Sequence, residues 1–325
     1  MIPSWPLTGI RLGCVICKQS LCAEGSDLVC KPCGFRYKQE EGIAIMLAED
    51  EAQGAAHKEA VREVFDSINR SLETKGLSRF STFINWGYAS LEEERAGFQV
   101  VNGSFIRLLH EIIGGADVSG KDIVEIGCGR GGNINELCKN YGAGSAVGID
   151  LAPSNIDFCH RNNRYEQAYY CVGDAERLPI QSECCDCVLN VESSHLYPYI
   201  DRFFAEAYRV LKPGGTFIYA DIMNAADVPR YEKIWKRLGF RMTMNRDITA
   251  NVLQSGEASL GNRIQALGGS FVSDEGTMEW LEAPGTQKHE DMKAGRRLFK
   301  IMHLVKELDR SEDRLPKQKG AVRYE

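Results

Sequence analysis

No stretch of the 325-residue sequence approaches the roughly 20 consecutive apolar residues that a membrane-crossing helix needs. The first residues, MIPSWPLTGIRLGC, lack a basic stretch followed by an apolar run of secretory length, so export is not expected. Positive charge is not in excess either, since 39 Lys and Arg stand against 45 Asp and Glu, a net charge of −6. That balance gives no general electrostatic footprint for a phosphate backbone, although it leaves room for a local basic patch. Compositional bias is absent too. With 43% hydrophobic and 26% charged residues, the chain reads as an ordinary globular protein of one large domain with attachments. It contains no internal repeat and no low-complexity segment.

Cysteine, by contrast, is abundant. Five of the 12 cysteines fall within residues 14–33, and the rest are scattered. A disulfide-stapled fold would be short and secreted, and this chain is neither, so a reducing cytoplasm is the expected setting. Residues 14–33 read CVICKQSLCAEGSDLVCKPC, which is C-x2-C-x12-C-x2-C. Each C-x-x-C pair forms a tight knuckle aiming two thiolates at one point. The turn residues Gly25-Ser26-Asp27 allow a hairpin to bring the knuckles together. Cys14, Cys17, Cys30 and Cys33 are therefore the expected ligands of a structural zinc, with no open position for chemistry. Cys22 is off the spacing and is not counted among them. GIAIML (42–47) reads as a short strand closing this ribbon, giving a first part at 1–47.

A polar stretch, AEDEAQGAAHKE, then reads as a linker, followed by amphipathic helical patterns. Val61, Val64, Phe65, Ile68 and Leu72 follow one such pattern, and Phe98, Val101, Phe105, Leu108, Leu109 and Ile112 another. Residues 48–115 are accordingly expected to form a linker and helical lid. From residue 121 strands alternate with helices, the pattern of a parallel sheet covered on both faces. DIVEIG (122–127), AVGIDL (146–151), AYYCVGD (168–174), CCDCVLNV (184–191) and TFIYADI (216–222) are the expected strands, with FRMTMNRDI and LFKIMHLV as a final pair. The fold class is α/β, with a main domain at 116–325. A lid insertion is expected around 225–290, where GNRIQAL and MEWLEAPG lie.

VEIGCGRGGN (124–133) places a glycine-rich turn after a strand and before a helix. Glycines let the backbone approach a ligand, and the helix end presents free N–H groups. Gly127, Gly129 and Gly132 match G-x-G-x-x-G, which would also suit a dinucleotide. Three further features decide between ligands. Glu125 sits in the strand before the glycines, where a carboxylate can hold an ammonium. Asp150 ends the next strand, where a carboxylate can accept bonds from both ribose hydroxyls. GDAERLPI (173–180) and VLKPGG (210–215) follow at later strand–helix transitions.

With that ordered set, residues 80–310 resemble the class I S-adenosylmethionine-dependent methyltransferases. The resemblance implies a Rossmann-like seven-stranded sheet and S-adenosyl-L-methionine as cofactor. It implies that Gly127, Gly129 and Gly131 line the methionine moiety, with Glu125 near the ammonium. Asp150 would bind the ribose, Leu151 would pack on adenine, and Asp174 and Ala175 would bond the adenine. Asn190 would lie near the sulfonium. FINWGYAS (83–90) matches an N-x-G-Y segment at Asn85, Gly87 and Tyr88, and Tyr88 joins the cofactor-binding set.

NVESSHLYP (190–198) resembles the small-molecule branch that includes sugar, polyketide and mycobacterial lipid methyltransferases. The resemblance to the sugar O-methyltransferases of that branch implies that His195 is the base and that Asp221 assists it. A hydroxyl acceptor must lose a proton, and an imidazole near pH 7 is suited to take it. The expected partner is therefore a small-molecule natural product bearing a hydroxyl. His195, Glu192 and Asp221 are also conceivable Mg²⁺ ligands, but in no recognisable motif. Two alternatives stay open: C-methylation of an electron-rich carbon, and methylation of ribosomal RNA guanine, because a zinc ribbon also precedes those RNA enzymes. Residues 1–47 carry five basic and four acidic side chains, so nucleic acid is not the expected partner. Nothing in the pattern specifies an oligomer.

Overall fold

The computed structural model describes residues 9–48, 52–90, 102–268 and 274–308. Near the N-terminus, β1 (Cys22–Glu24), β2 (Asp27–Val29) and β3 (Arg36–Tyr37) form a small antiparallel sheet, the ribbon. β4 (Gln39–Glu40) and β5 (Ile43–Met46) form a hairpin, but it does not close the ribbon. β5 instead runs parallel to a strand of the large sheet, because its apolar Ile43, Ala44 and Met46 find a larger core there. The stretch read as a linker is also largely regular structure. α1 (Ala52–Thr74) starts within it, since Ala, Gln, Glu and Lys are strong helix formers even without an apolar stripe. α2 (Gly103–Ile113) buries Leu108, Leu109, Ile112 and Ile113. Phe98 and Val101, expected to begin this helix, lie outside the described residues.

The main body alternates β6 (Asp122–Ile126), α3 (Gly132–Asn140), β7 (Ser145–Asp150), α4 (Pro153–Asn162) and β8 (Ala168–Gly173). It continues through β9 (Cys185–Val191), α5 (Ile200–Val210), β10 (Leu211–Asn224), α6 (Val228–Leu238) and β11 (Phe240–Asp247). α7 (Thr249–Leu267), α8 (Asp274–Trp280), α9 (Gln287–Lys293) and β12 (Arg297–Lys306) complete it. The sheet order is β11-β12-β10-β9-β6-β7-β8-β5-β4, so the expected seven strands are present and the N-terminal hairpin adds two. β12 is antiparallel to both β10 and β11, while the strands from β10 to β5 run parallel.

Each face of the sheet carries its own core. Phe203, Phe204, Phe217, Tyr219 and Trp235 pack on one face, together with Ile10, Cys14 and Cys30 of the ribbon. Leu108, Ile112, Ile134, Leu137 and Val252 cover the other. A third cluster joins Ile68 and Leu72 of α1 to Leu267, Leu281 and Ala283, tying the N-terminal helix to the late helices. The stretch expected as an insertion at 225–290 divides in two. α6 and β11 belong to the sheet and its layers, and only α7 to α9, between β11 and β12, extend the fold. Among the described residues no helix is long and apolar enough to cross a membrane.

Candidate active site

β6 ends at Ile126, and the chain must turn sharply to start α3. Gly127 takes φ of +70°, and a Cβ there would meet Ser193 Oγ at 2.3 Å, so only glycine fits. Gly132 opens α3 against the Phe83 ring, which would lie 2.7 Å from an added Cβ. The turn frames a concave cleft that opens to solvent. Its floor is the carboxyl edge of β6, β7, β8 and β9, where ligands sit in open parallel sheets, and its roof includes Lys58, Val61 and Phe65 of α1.

Of the expected cofactor residues, Glu125, Gly127, Gly129, Asp150, Leu151, Asp174 and Ala175 line this cleft. Three are not on its wall. Gly131 caps α3 with φ of +73°. Asn190 is buried behind the turn, donating to Ile126 O (2.8 Å) and Ser193 Oγ (2.7 Å). Tyr88 packs toward α2, its amide donating to Ser104 O and its ring near Glu111 and Arg246.

Glu125 is buried, with Oε1 accepting from Asn133 Nδ2 at 2.7 Å. Burial pushes its pKa up to about 8; the Asn133 bond opposes this and the charge of Asp150 adds to it. Glu125 Oε2 and Asn133 Oδ1 are both buried and without a partner. Two orphaned acceptors on one cleft wall suit a ligand ammonium, which brings three donors. Asp150 accepts from Gly129 N (2.8 Å), Ala152 N (2.9 Å) and Asn155 Nδ2 (3.1 Å). Burial raises its pKa while those bonds pull the other way. It thus holds the glycine loop and the start of α4 in register.

Asp174 accepts from Glu176 N at 2.9 Å and from Lys58 Nζ at 2.7 Å. Lys58 also pairs with Glu176 at 2.6 Å, so the roof helix is fastened to the cleft wall at Asp174 and Glu176. Sequence reasoning missed Lys58, because a single lysine in a polar stretch carries no signal of its partner. Arg130 was missed too. It is buried over the Phe158 ring (3.5 Å) and donates to Ser81 O (2.6 Å), Ser78 O (2.8 Å) and Asn69. Burial lowers its pKa to about 10, and it bolts the chain after α1 onto the glycine loop.

The turn after β9 places His195 against Asp221 of β10, and neither side chain is on the cleft wall. His195 Nδ1 lies 2.7 Å from Asp221 Oδ1, and the His195 amide donates to Asp221 Oδ2 at 3.1 Å. Ser194 Oγ (2.5 Å) and the Ile222 amide (2.7 Å) also donate to this fully buried carboxylate. Burial alone would push Asp221 up, yet the His195 charge and these bonds hold it below the usual carboxylate range. An ionised Asp221 favours the tautomer with the proton on Nδ1, leaving Nε2 as acceptor. The His195 side chain is 30% exposed, and Nε2 has no partner among the described residues. Glu192, on the cleft wall, accepts from Trp86 N (2.9 Å). Burial and the nearby Asp221 charge raise it well above an ordinary glutamate.

In the ribbon, one ligand atom from each of Cys14, Cys17, Cys30 and Cys33 lies within 4.8 Å of the others. Cys14 Sγ is 3.5 Å from Cys33 Sγ, and Cys17 Sγ is 3.3 Å from Cys30 Sγ. Zn–S bonds of about 2.3 Å in a tetrahedron need sulfurs about 3.8 Å apart, so the cage fits that ion. Cys22 lies apart, donating to Val29 O. Among the described residues no other group gathers three such ligand atoms, so Glu192, His195 and Asp221 do not form a comparable cage.

The family model described as a methyltransferase domain matches residues 124–219. The fatty-acid O-methyltransferase of Mycolicibacterium smegmatis is 32% identical over 231 residues, covering 69% of this chain and 83% of that one. The phthiotriol/phenolphthiotriol dimycocerosates methyltransferase of Mycobacterium leprae is 32% identical over 232 residues, covering 69% and 85%. The chain belongs to the class I S-adenosylmethionine-dependent methyltransferases. Solved structures share the fold of this methyltransferase. A geranyl diphosphate methyltransferase bound to geranyl diphosphate and sinefungin has a TM-score of 0.58 at 14% identity, covering 77% of this chain and 99% of that one. The cyclase SpnF has a TM-score of 0.60 at 17% identity, covering 76% and 95%. The methyltransferase thus uses S-adenosyl-L-methionine to methylate a small molecule, on a fold that also supports other chemistry.

Proposed function

We propose that this methyltransferase methylates a hydroxyl of a small natural product of lipid character, with His195 as general base and Asp221 orienting it. The observation that carries this reading is the 2.7 Å contact between His195 Nδ1 and the buried Asp221, which leaves Nε2 able to accept a proton. The lipid character rests on the two relatives, a fatty-acid O-methyltransferase and a phthiotriol/phenolphthiotriol dimycocerosates methyltransferase.

The bound cofactor supplies a methyl carbon already activated by positive sulfur, so transfer is an in-line displacement in which placement does most of the work. Glu125 and Asn133 would take the ammonium, Asp150 the ribose hydroxyls, and Leu151, Asp174 and Ala175 the adenine. Asn190 acts from behind, holding the Ile126 carbonyl and Ser193 in place. The acceptor O–H proton passes to His195 Nε2 as the oxygen attacks, and Asp221 stabilises the imidazolium. α1 roofs the cleft, and α7 to α9 form the lid over the acceptor. The four-cysteine cage holds a structural zinc, and the ribbon, the helical lid and the sheet make three parts.

The RNA reading is disfavoured, because the basic side chains of the ribbon are largely engaged. Lys31 and Arg36 pair with Glu24, and Lys18 with Glu206. The carbon-acceptor reading is tested by the product. The enzyme, incubated with methyl-labelled cofactor and hydroxylated lipids, should give an oxygen-bound methyl by carbon NMR. A carbon-bound methyl, or transfer to ribosomal RNA in preference to every small hydroxylated compound, would overturn the reading.

A further inference from the structure

We propose that the N-terminal segment 10–46, the ribbon together with the β4–β5 hairpin that follows it, is a positioning element of the cofactor site, which clamps the segment 174–181 from both ends. The clamp rests on the zinc reading and on the adenine-binding role given above to Asp174 and Ala175. At the upstream end, β5 runs parallel to β8 with Met46 opposite Gly173, the residue just before Asp174. At the downstream end, Leu12 bridges Ile180 in antiparallel fashion. Gly13 N donates to Pro179 O, and Gln181 N donates to Arg11 O, each at 2.9 Å. Gln181 Nε2 adds a bond to Leu12 O.

The next residue after this bridge is Cys14, so the first knuckle is continuous with the strand that grips 179–181. Ile10, Leu178 and Ile180 are fully buried in the same core as Cys14 and Cys30. Lys18, inside the ribbon, reaches Glu206 at 2.9 Å. Glu206 in turn holds Arg209, which donates to Ile180 O at 2.7 Å. A ribbon of three short strands buries too little apolar surface to hold its own shape, so metal binding supplies its order. Order in the ribbon is then passed to 179–181 through the backbone ladder, and from there to the cofactor wall.

The test uses the full-length protein in three forms: as purified, stripped with a chelator and checked by metal analysis, and as the Lys18→Met/Gln181→Ala double variant. The double variant keeps all four cysteines and every residue on the cleft wall. Calorimetry should show S-adenosylmethionine affinity falling about tenfold on stripping, and about threefold or more in the double variant with zinc retained. Amide exchange should rise at 174–181 and stay unchanged through β6. Methylthioadenosine, which lacks the amino-acid end, should lose affinity by the same factor as the full cofactor. An unchanged affinity in the double variant, or exchange that rises evenly through β6, would overturn the clamp. Purified protein without zinc would overturn the metal reading, and the double variant would still decide the clamp.

Discussion

The two ends of the active cleft are built differently. At the cofactor end, Asp150 and Asp174 are already satisfied by backbone amides and by Lys58. The orphaned acceptors there, on Glu125 and Asn133, lie side by side. At the acceptor end, Glu192 is pushed up by burial and by Asp221, and sits at φ of +47°, a conformation that costs a non-glycine residue some energy. His195 nearby keeps one nitrogen open. On the proposed reading, the first end binds and the second reacts. Substitutions should therefore separate, with affinity lost at one end and rate at the other.

The sharpest break should come at His195. His195→Ala should lower the single-turnover rate by about 10²–10⁴-fold with S-adenosylmethionine affinity nearly unchanged. Asp221→Asn should give a smaller rate loss, because it removes the group that fixes the tautomer and stabilises the imidazolium. An undiminished His195→Ala enzyme would dissolve the distinction between the two ends.

Asp150→Ala should act in the opposite sense. It removes the bond from Gly129 N and the proposed bonds from the ribose, so calorimetry should show affinity lower by about 1–3 kcal/mol, roughly 5- to 150-fold. Once saturated with cofactor, the variant should turn over near the wild-type rate.

The smallest effect concerns Glu125 and pH. Its pKa near 8 in the free protein keeps it largely protonated at neutrality, whereas an unfolded glutamate ionises near about 4.3. Between those values the folded state holds the extra proton, so the stability of the free protein falls as pH rises through that window. A bound ammonium would favour the ionised form and lower the pKa. Cofactor binding at pH 7 should thus release up to one proton, and affinity should rise from pH 6 to 8. Calorimetry in buffers of different ionisation enthalpy measures this directly, and a null proton count would remove Glu125 from the ammonium site.

The residues that line the cleft were largely legible in the chain because their signals are local. The glycine turn, Glu125 and Asp150 lie within one strand–turn–helix–strand unit, and each sits at a fixed offset from the next. His195 and Asp221 were singled out through resemblance and position at the carboxyl edge, and the structure sets them 2.7 Å apart. What escaped was long-range. The bonds from Lys58 to Asp174, from Arg130 to Ser78 and Ser81, and the departure of β5 from the ribbon all join segments whose pairing no periodicity encodes. Tyr88 was drawn toward the cofactor by its motif, but its neighbours Glu111 and Arg246 come from elements that local pattern does not bring together.

The N-terminal hairpin has one more consequence, for the order of assembly. A strand with open N–H and C=O groups is a template for another chain, and β8 would be such an edge without β5. β5 is synthesised early, yet its partner exists only after α1, α2, β6, α3, β7 and α4 have been made. Pairing across so much intervening chain is slow, since loop closure comes before any reward from contact. The hairpin made before every other strand of the large sheet therefore meets its neighbour β8 only after four helices and two strands have followed it.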